Sequence, residues 1–314
     1  MALLKGILTA LSLISLISVT IFFTIVPKWV DRSANKVFGN VGQPPTPETL
    51  ALHAQLIVGD LHADSTLWGK DLLARNKWGH VDLPRLLDGG VALQMFTTVT
   101  KSPQGQNYEY NNSNALDQIT LLGLAQRWPA GALDSLFSRA LLQADRLHLA
   151  TQLSERFSVI RSQADLTKLL AQRANGTQVV GALLGTEGSH ALEGDLENIN
   201  RLYQVGFRMM SLQHFFDNQL GGSLHGASKG GLTEFGRKAV NRMQSLGIII
   251  DVSHSSEAVV LDTLDVTGGA ALVVSHTGFN GHCESPRNIR DNIMEKITKA
   301  GGLIGVGFWQ DVTC

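Results

Sequence analysis

Read for its hydrophobic and polar positions, the chain opens on one long apolar stretch and then settles into a repeating alternation. Gly6 to Val26 carries no charged residue and is built mainly of Leu, Ile, Val, Phe, Ser and Thr. As a helix it is long enough to cross a hydrocarbon core, which takes roughly 20 residues. Pro27, Lys28 and Trp29 end it with a charge and an interfacial aromatic. No clear small-x-small cleavage site follows, so residues 1–27 are expected to be an uncleaved membrane anchor rather than a signal peptide. Lys5 precedes the span while Lys28, Arg32 and Lys36 follow it, so charge bias does not set its orientation. Residues 28–50 are polar, contain the turn-forming Gly42-Gln43-Pro44-Pro45-Thr46-Pro47, and read as a linker.

From there on, short apolar runs alternate with helical spacing. The first run, Gln55 to Val58, leads into Gly59-Asp60-Leu61-His62-Ala63-Asp64. Further strands are expected at Gly90–Thr97, Val179–Leu184, Phe207–Leu212, Ile248–Val252, Ala271–Val274 and Leu303–Phe308. Apolar spacings of three and four over residues 114–170 predict helix throughout, broken near Pro129. Thr233 is placed to cap a helix running to about Leu246. Near-continuous apolar strands between helices imply a parallel sheet covered on both faces. Polar residues of ligand type recur where the strands end. That favours a TIM-like (β/α)8 barrel over an open sheet, because a barrel aims all its strand ends at one point. Residues 51–314 form this expected barrel. Only seven strands are visible, so the eighth is expected to be missing and the first and seventh to present open edges.

The strand ends carry the chemistry. His62 and Asp64 are two apart and so face one side of a strand. Alone, such a pair is more often a capping Asp beside a core His. Glu187, His214, His254 and His276 close other strands in the same manner, and the joint pattern favours a metal site. Imidazole and carboxylate are good zinc ligands. The set exceeds what one four-coordinate ion needs, so two zinc ions bridged by a carboxylate are expected, with a hydroxide between them as nucleophile. His53, His148 and His225 fall in predicted linker, helix and loop and read as ordinary residues. His80 and His190 stay open, His190 as a residue that could orient a ligand from behind. With 26 basic against 27 acidic residues, nothing points to nucleic acid as a partner. Cys283 and Cys314 are too few for a disulfide framework and do not form a zinc-type pair; one disulfide between them is allowed, although Cys314 is the last residue.

Taken together, Asp60-Leu61-His62-Ala63-Asp64, His80-Val81-Asp82-Leu83-Pro84-Arg85-Leu86, Glu187-Gly188-Ser189-His190, Gly231-Leu232-Thr233-Glu234-Phe235-Gly236, Asp251-Val252-Ser253-His254, Ser275-His276-Thr277-Gly278 and Pro286-Arg287-Asn288 resemble the membrane dipeptidase (renal dipeptidase) family of zinc peptidases, especially its bacterial branch. The resemblance implies that His62 and Asp64 bind one zinc ion, that His254 and His276 bind the other, and that Glu187 bridges them. It gives His214 the part of binding substrate and stabilising the oxyanion, and Arg287 the part of holding the free carboxylate of a dipeptide. It also implies an extracytoplasmic location, periplasmic in a bacterium, and allows a homodimer. One departure stands out. The family ends its eighth strand in an Asp-Phe-Asp-Gly segment whose acidic residue shuttles the proton, and Asp311 lacks that context. The chain is therefore expected to be truncated at its C-terminus relative to the family. Two other readings remain open: a barrel metallohydrolase acting on lactone or β-lactam rings, and an inactive zinc-binding pseudoenzyme.

Overall fold

The computed structural model describes residues 1–37, 39 and 42–314; positions 38, 40 and 41 of the expected linker lie outside the described residues. The apolar N-terminus forms α1 (Ala2–Thr24), which has no buried residue; over Ala2–Ala34 the most apolar 18-residue window has a mean hydropathy of 2.3. Pro27 has no N–H to offer the carbonyl four residues back, so the helix breaks at Ile25 and restarts as α2 (Val26–Ala34). Here the structure departs from the expected linker. Helix α2 is docked on the rest of the chain: the Asp31 carboxylate accepts from Lys70 Nζ at 2.7 Å and from Trp78 Nε1 at 2.7 Å. Both charges are largely covered, at 13% and 12% exposure. Gly79 N donates to Asn35 O at 2.8 Å. Its polar composition made this segment read as a linker, because its partners lie some forty residues further on. A third helix, α3 (Pro47–His53), is capped by Thr46, whose side chain accepts from Thr49 N at 3.3 Å.

Eight strands follow, and every pairing is parallel: β1 (Val58–Ala63), β2 (Val91–Val99), β3 (Phe157–Val159), β4 (Val180–Glu187), β5 (Phe207–Ser211), β6 (Ile249–Asp251), β7 (Val273–Thr277) and β8 (Leu303–Val306). They pair in the order β1-β2-β4-β5-β6-β7-β8, a nearly closed α/β barrel. Strand β3 pairs with the first part of β4, on the edge that β5 takes over further along. It corrects the expectation of helix throughout 114–170. That segment contains α5 (Gln118–Ala125), α6 (Ala130–Asp134), α7 (Leu136–Gln152), then β3, then α8 (Gln163–Ala174). Three residues are too few to show an alternation of their own. The break at Pro129 is present, between α5 and α6.

The seam lies between β1 and β8. These strands touch without pairing: a Cβ on Gly305 would stand 3.2 Å from Leu61 Cδ1, yet no ladder joins the two. Leu303 is accordingly 55% exposed. The remaining helices are α4 (Leu83–Asp88), α9 (Glu197–Val205), α10 (Glu234–Ser245), α11 (Glu257–Val266), α12 (Asp291–Lys299) and α13 (Gln310–Thr313). Thr233 caps α10 as expected, accepting from Gly236 N at 3.0 Å. Between the helices and the strands lies one continuous core that includes Leu147, Leu184, Leu202, Val240 and Val260, all fully buried. A buried cation, Arg139, fastens the long β2–α7 connection by donating to Thr100 O, Asp117 Oδ2, Thr120 Oγ1, Ala132 O and Leu133 O. Cys283 and Cys314 are disulfide-bonded, with Cα atoms 5.5 Å apart. The bond ties α13 to the β7–α12 loop and sets Trp309 beside Arg287.

Candidate metal centre

The strand register brings the carboxyl ends of β1, β4, β6 and β7 to one place, with the turn after β5 beside them. Glu187 is the last residue of β4 and is buried. Its Oε1 lies 3.3 Å from His62 Nε2, 3.3 Å from His254 Nε2 and 3.4 Å from His276 Nε2. Its Oε2 lies 3.4 Å from His214 Nε2. The His254 and His276 Nε2 atoms are 3.0 Å apart. Asp64 Oδ1 sits 3.4 Å from His62 Nε2 and accepts from Thr97 Oγ1 at 2.6 Å. Arg287 comes from the loop after β7, is buried, and directs Nη2 to His276 O at 2.8 Å and towards His254 Nε2 at 3.2 Å. Four imidazoles thus surround the Glu187 carboxylate, while Asp64 joins the cluster through His62, and Arg287 through His254 and His276.

One of them is held in an uncommon backbone conformation. His254 has φ of 63°, in the left-handed region that a non-glycine residue seldom occupies. Leu224 N donates to its carbonyl at 2.7 Å and Ser223 Oγ at 3.2 Å, which fixes the turn. Such strain persists where the surroundings over-determine it, and it is typical of functional sites.

Charge in the cluster is arranged around Glu187. Burial would raise its carboxyl, but the imidazoles of His214 and His62 hold it well below the usual carboxylate range. Burial, reinforced by the Arg287 charge, pushes His254 well below the usual imidazole range; burial and His62 do the same for His276. His62 goes the other way: burial lowers it, and the Asp64 and Glu187 carboxylates more than offset this and raise it well above. Burial brings Arg287 down to about 10, so it remains a cation.

This donor set fits a metal ion. Ligands about 2.0–2.1 Å from a tetrahedral zinc lie roughly 3.3–3.4 Å from one another, the spacing found around Glu187 Oε1. An ionised carboxylate among buried imidazoles supplies the lone pairs that ligation needs. Among the described residues, two groups of three donors have their ligand atoms within 4.8 Å of one another, His62 with Glu187 and His276, and Glu187 with His214 and His254, and both share Glu187. This grouping cuts across the pairs expected from the resemblance, which joined His62 to Asp64 and His254 to His276.

Other residues support the cluster and were not given roles in the sequence. Asp251, fully buried at the end of β6, accepts from Ser253 N at 2.9 Å, Ser275 N at 3.0 Å and Ser275 Oγ at 2.7 Å. Ser275 Oγ also lies 2.9 Å from His276 Nδ1 and 3.3 Å from His62 Nδ1. The Asp-x-Ser-His and Ser-His strings carried the signal, since residues two apart share a side of a strand. What they bond was not readable, because it depends on neighbouring strands. His225 packs against His254, with ring centroids 5.1 Å apart, and burial lowers it to about 3. It is thus a wall of the site rather than an ordinary loop residue. His190 is buried, is lowered to about 3 by that burial, and has no hydrogen-bond partner for its ring among the described residues. His80 bonds Lys36 O at 3.0 Å and belongs to the α2 contact. His148 meets Val205 O at 3.0 Å, away from the cluster.

Residues 47–313 match the profile of the membrane dipeptidase family, peptidase family M19. The chain belongs to this family. Within curated proteins, it is 30% identical to Dipeptidase 3 of Mus musculus over 251 residues, covering 73% of this chain and 46% of that protein. Dipeptidase 3 of Homo sapiens is 28% identical over the same share of both chains. The chain therefore spans about half the length of these relatives. Among solved structures, the probable dipeptidase PvdM of Pseudomonas aeruginosa superposes with a TM-score of 0.63 at 19% identity, covering 83% of this chain and 63% of that one. A metallo peptidase of Rhodobacter sphaeroides, solved with a phosphinate mimic of the dipeptide L-Ala-D-Ala, gives 0.59 at 22% identity, covering 82% and 75%. At these identities the structural likeness speaks for the fold alone, which is that of the M19 barrels.

Proposed function

We propose that this chain is a membrane-anchored dipeptidase using two zinc ions, with α1 as the anchor and the barrel on the extracytoplasmic side. His62, Asp64, Glu187, His254 and His276 would hold the ions, with Glu187 shared. When bound, zinc would make a water nucleophilic near neutral pH and draw charge from the scissile carbonyl. Arg287 remains charged although buried, which suits it to clamping the free carboxylate of a dipeptide. His214 would stabilise the oxyanion from Nε2. Its Nδ1 faces the Lys101 carbonyl at 3.2 Å, so that nitrogen carries a proton. Donation from Nε2 as well then requires the doubly protonated ring; Glu187 Oε2 lies 3.4 Å from that nitrogen.

The observation that carries this reading is the convergence of four imidazoles on one ionised carboxylate, with a buried Arg against two of those histidines, in a chain of the M19 family. The test is hydrolysis of dipeptides by the zinc-loaded protein, abolished by chelator and restored by zinc. Arg287→Ala should lower kcat/KM by about 10- to 100-fold for substrates with a free carboxylate, given ~1.5–3 kcal/mol for charge-assisted hydrogen bonds. It should leave amidated or lactone substrates little changed. An equal loss on both kinds of substrate would sink the carboxylate clamp. His214→Ala should cost about 10²–10³ in kcat.

A further inference from the structure

A cavity of 940 Å³ opens from the cluster at His62, Asp64, Glu187 and His214. Its far wall is not part of the barrel. Phe22, Val26, Trp29 and Val30, on the two N-terminal helices, close it. Phe22, Val26 and Val30 are spaced four apart and so form one face across the α1–α2 junction. In a plain anchor that face would turn to lipid. Here the Asp31 pair with Lys70 and Trp78 turns it towards the cleft, while Arg127 lies over the Phe23 ring at 5.2 Å. Trp68, Ile119 and Leu122 line the same cavity from the barrel. Arg287 is not on this cavity; with His254 it lines a different, small one. The carboxylate clamp thus meets the cluster through His254 and His276, and the apolar wall meets it through the cavity that holds His62, Asp64, Glu187 and His214.

We propose that the α1–α2 face is a wall of the substrate cleft and selects dipeptides with a large apolar residue at the amino-terminal position. The inference rests on the dipeptidase reading above. With the carboxylate held by Arg287 and the amide at Glu187, the amino-terminal residue falls on the side of Val26 and Trp29. Pockets of about 300–1,000 Å³ hold drug-sized ligands, so two small residues leave much of this space to water. A large apolar side chain removes that water from the α1–α2 face.

The test uses the full chain in lipid nanodiscs, loaded with zinc, and compares Phe-Ala with Gly-Ala. Trp29 is 67% exposed, so Trp29→Ala leaves no hole in the core; Val26→Ala with Val30→Ala is the second variant. The expected result is that wild type prefers Phe-Ala and that the ratio of kcat/KM values falls about tenfold in either variant. A ratio within about twofold of wild type in both, with turnover intact, overturns the wall and leaves the dipeptidase reading standing. Calorimetric titration of both dipeptides onto metal-free protein separates the two ideas. If wild type turns over neither dipeptide but binds Phe-Ala more tightly, and Trp29→Ala removes that preference, the wall stands and the dipeptidase reading falls. Equal binding of both dipeptides, without turnover, overturns both.

Discussion

At His254 the chain accepts a left-handed backbone, a conformation that costs about 1–3 kcal/mol, and in return delivers Nε2 to the cluster. Asparagine tolerates that conformation better than other side chains. His254→Asn should therefore keep the thermal midpoint of the metal-free protein within a few degrees while lowering zinc affinity in a competition titration. A midpoint that collapses would show that the ring itself holds the turn. Ser275 links Asp251 to the His62 and His276 rings. Because such hydrogen bonds orient ligands, Ser275→Ala should weaken zinc binding by about 10- to 100-fold; unchanged affinity would reduce Ser275 to a packing residue. The identities of the cluster residues were legible as strand-end residues. Their mutual bonds were not, since they join β1 to β6 and β7, which lie some two hundred residues further along the chain.

Arg139 shows what an element needs before it can support a site. Its five hydrogen bonds gather β2, α5 and α6 onto α7, and Gln118 and Ile119 of that region line the cleft. Removing one member of a buried ion pair typically costs about 3–5 kcal/mol, so Arg139→Ala should lower stability by that order in a denaturant melt. Burial would raise Asp117, but hydrogen bonds from Arg139 and Thr120 hold its carboxyl below the ordinary value. A depressed carboxyl stabilises the fold above its unfolded value, near ~3.9, and loses that contribution as pH falls through the folded value. Melts across this acid range should show the loss, and Asp117→Asn should remove that part of the pH dependence. The elements themselves were mostly readable, because strands β1, β2 and β4 to β8 are apolar runs between helical patterns. Strand β3 was not, being only a three-residue edge on β4. Helix α2 was not either, because what holds it is a pair with Lys70 and Trp78 rather than an apolar stripe packed on the core.

On the scale of the whole molecule, the barrel is a hoop whose ends meet without a ladder. His62 belongs to one end, on β1, and His276 to β7, the strand paired with the other end. Their rings lie against each other, tilted by 34° with centroids 3.7 Å apart, across the gap that the backbone leaves open. An ion shared by these residues would then be a clasp as well as a reagent, closing the hoop through side chains where no peptide hydrogen bonds do so. Metal binding energy would in that case be folding energy. Chelation should lower the melting temperature, and hydrogen exchange should speed up first in β1 and β8 and last in β4 and β5. Uniform acceleration around the ring would mean that the clasp carries no load.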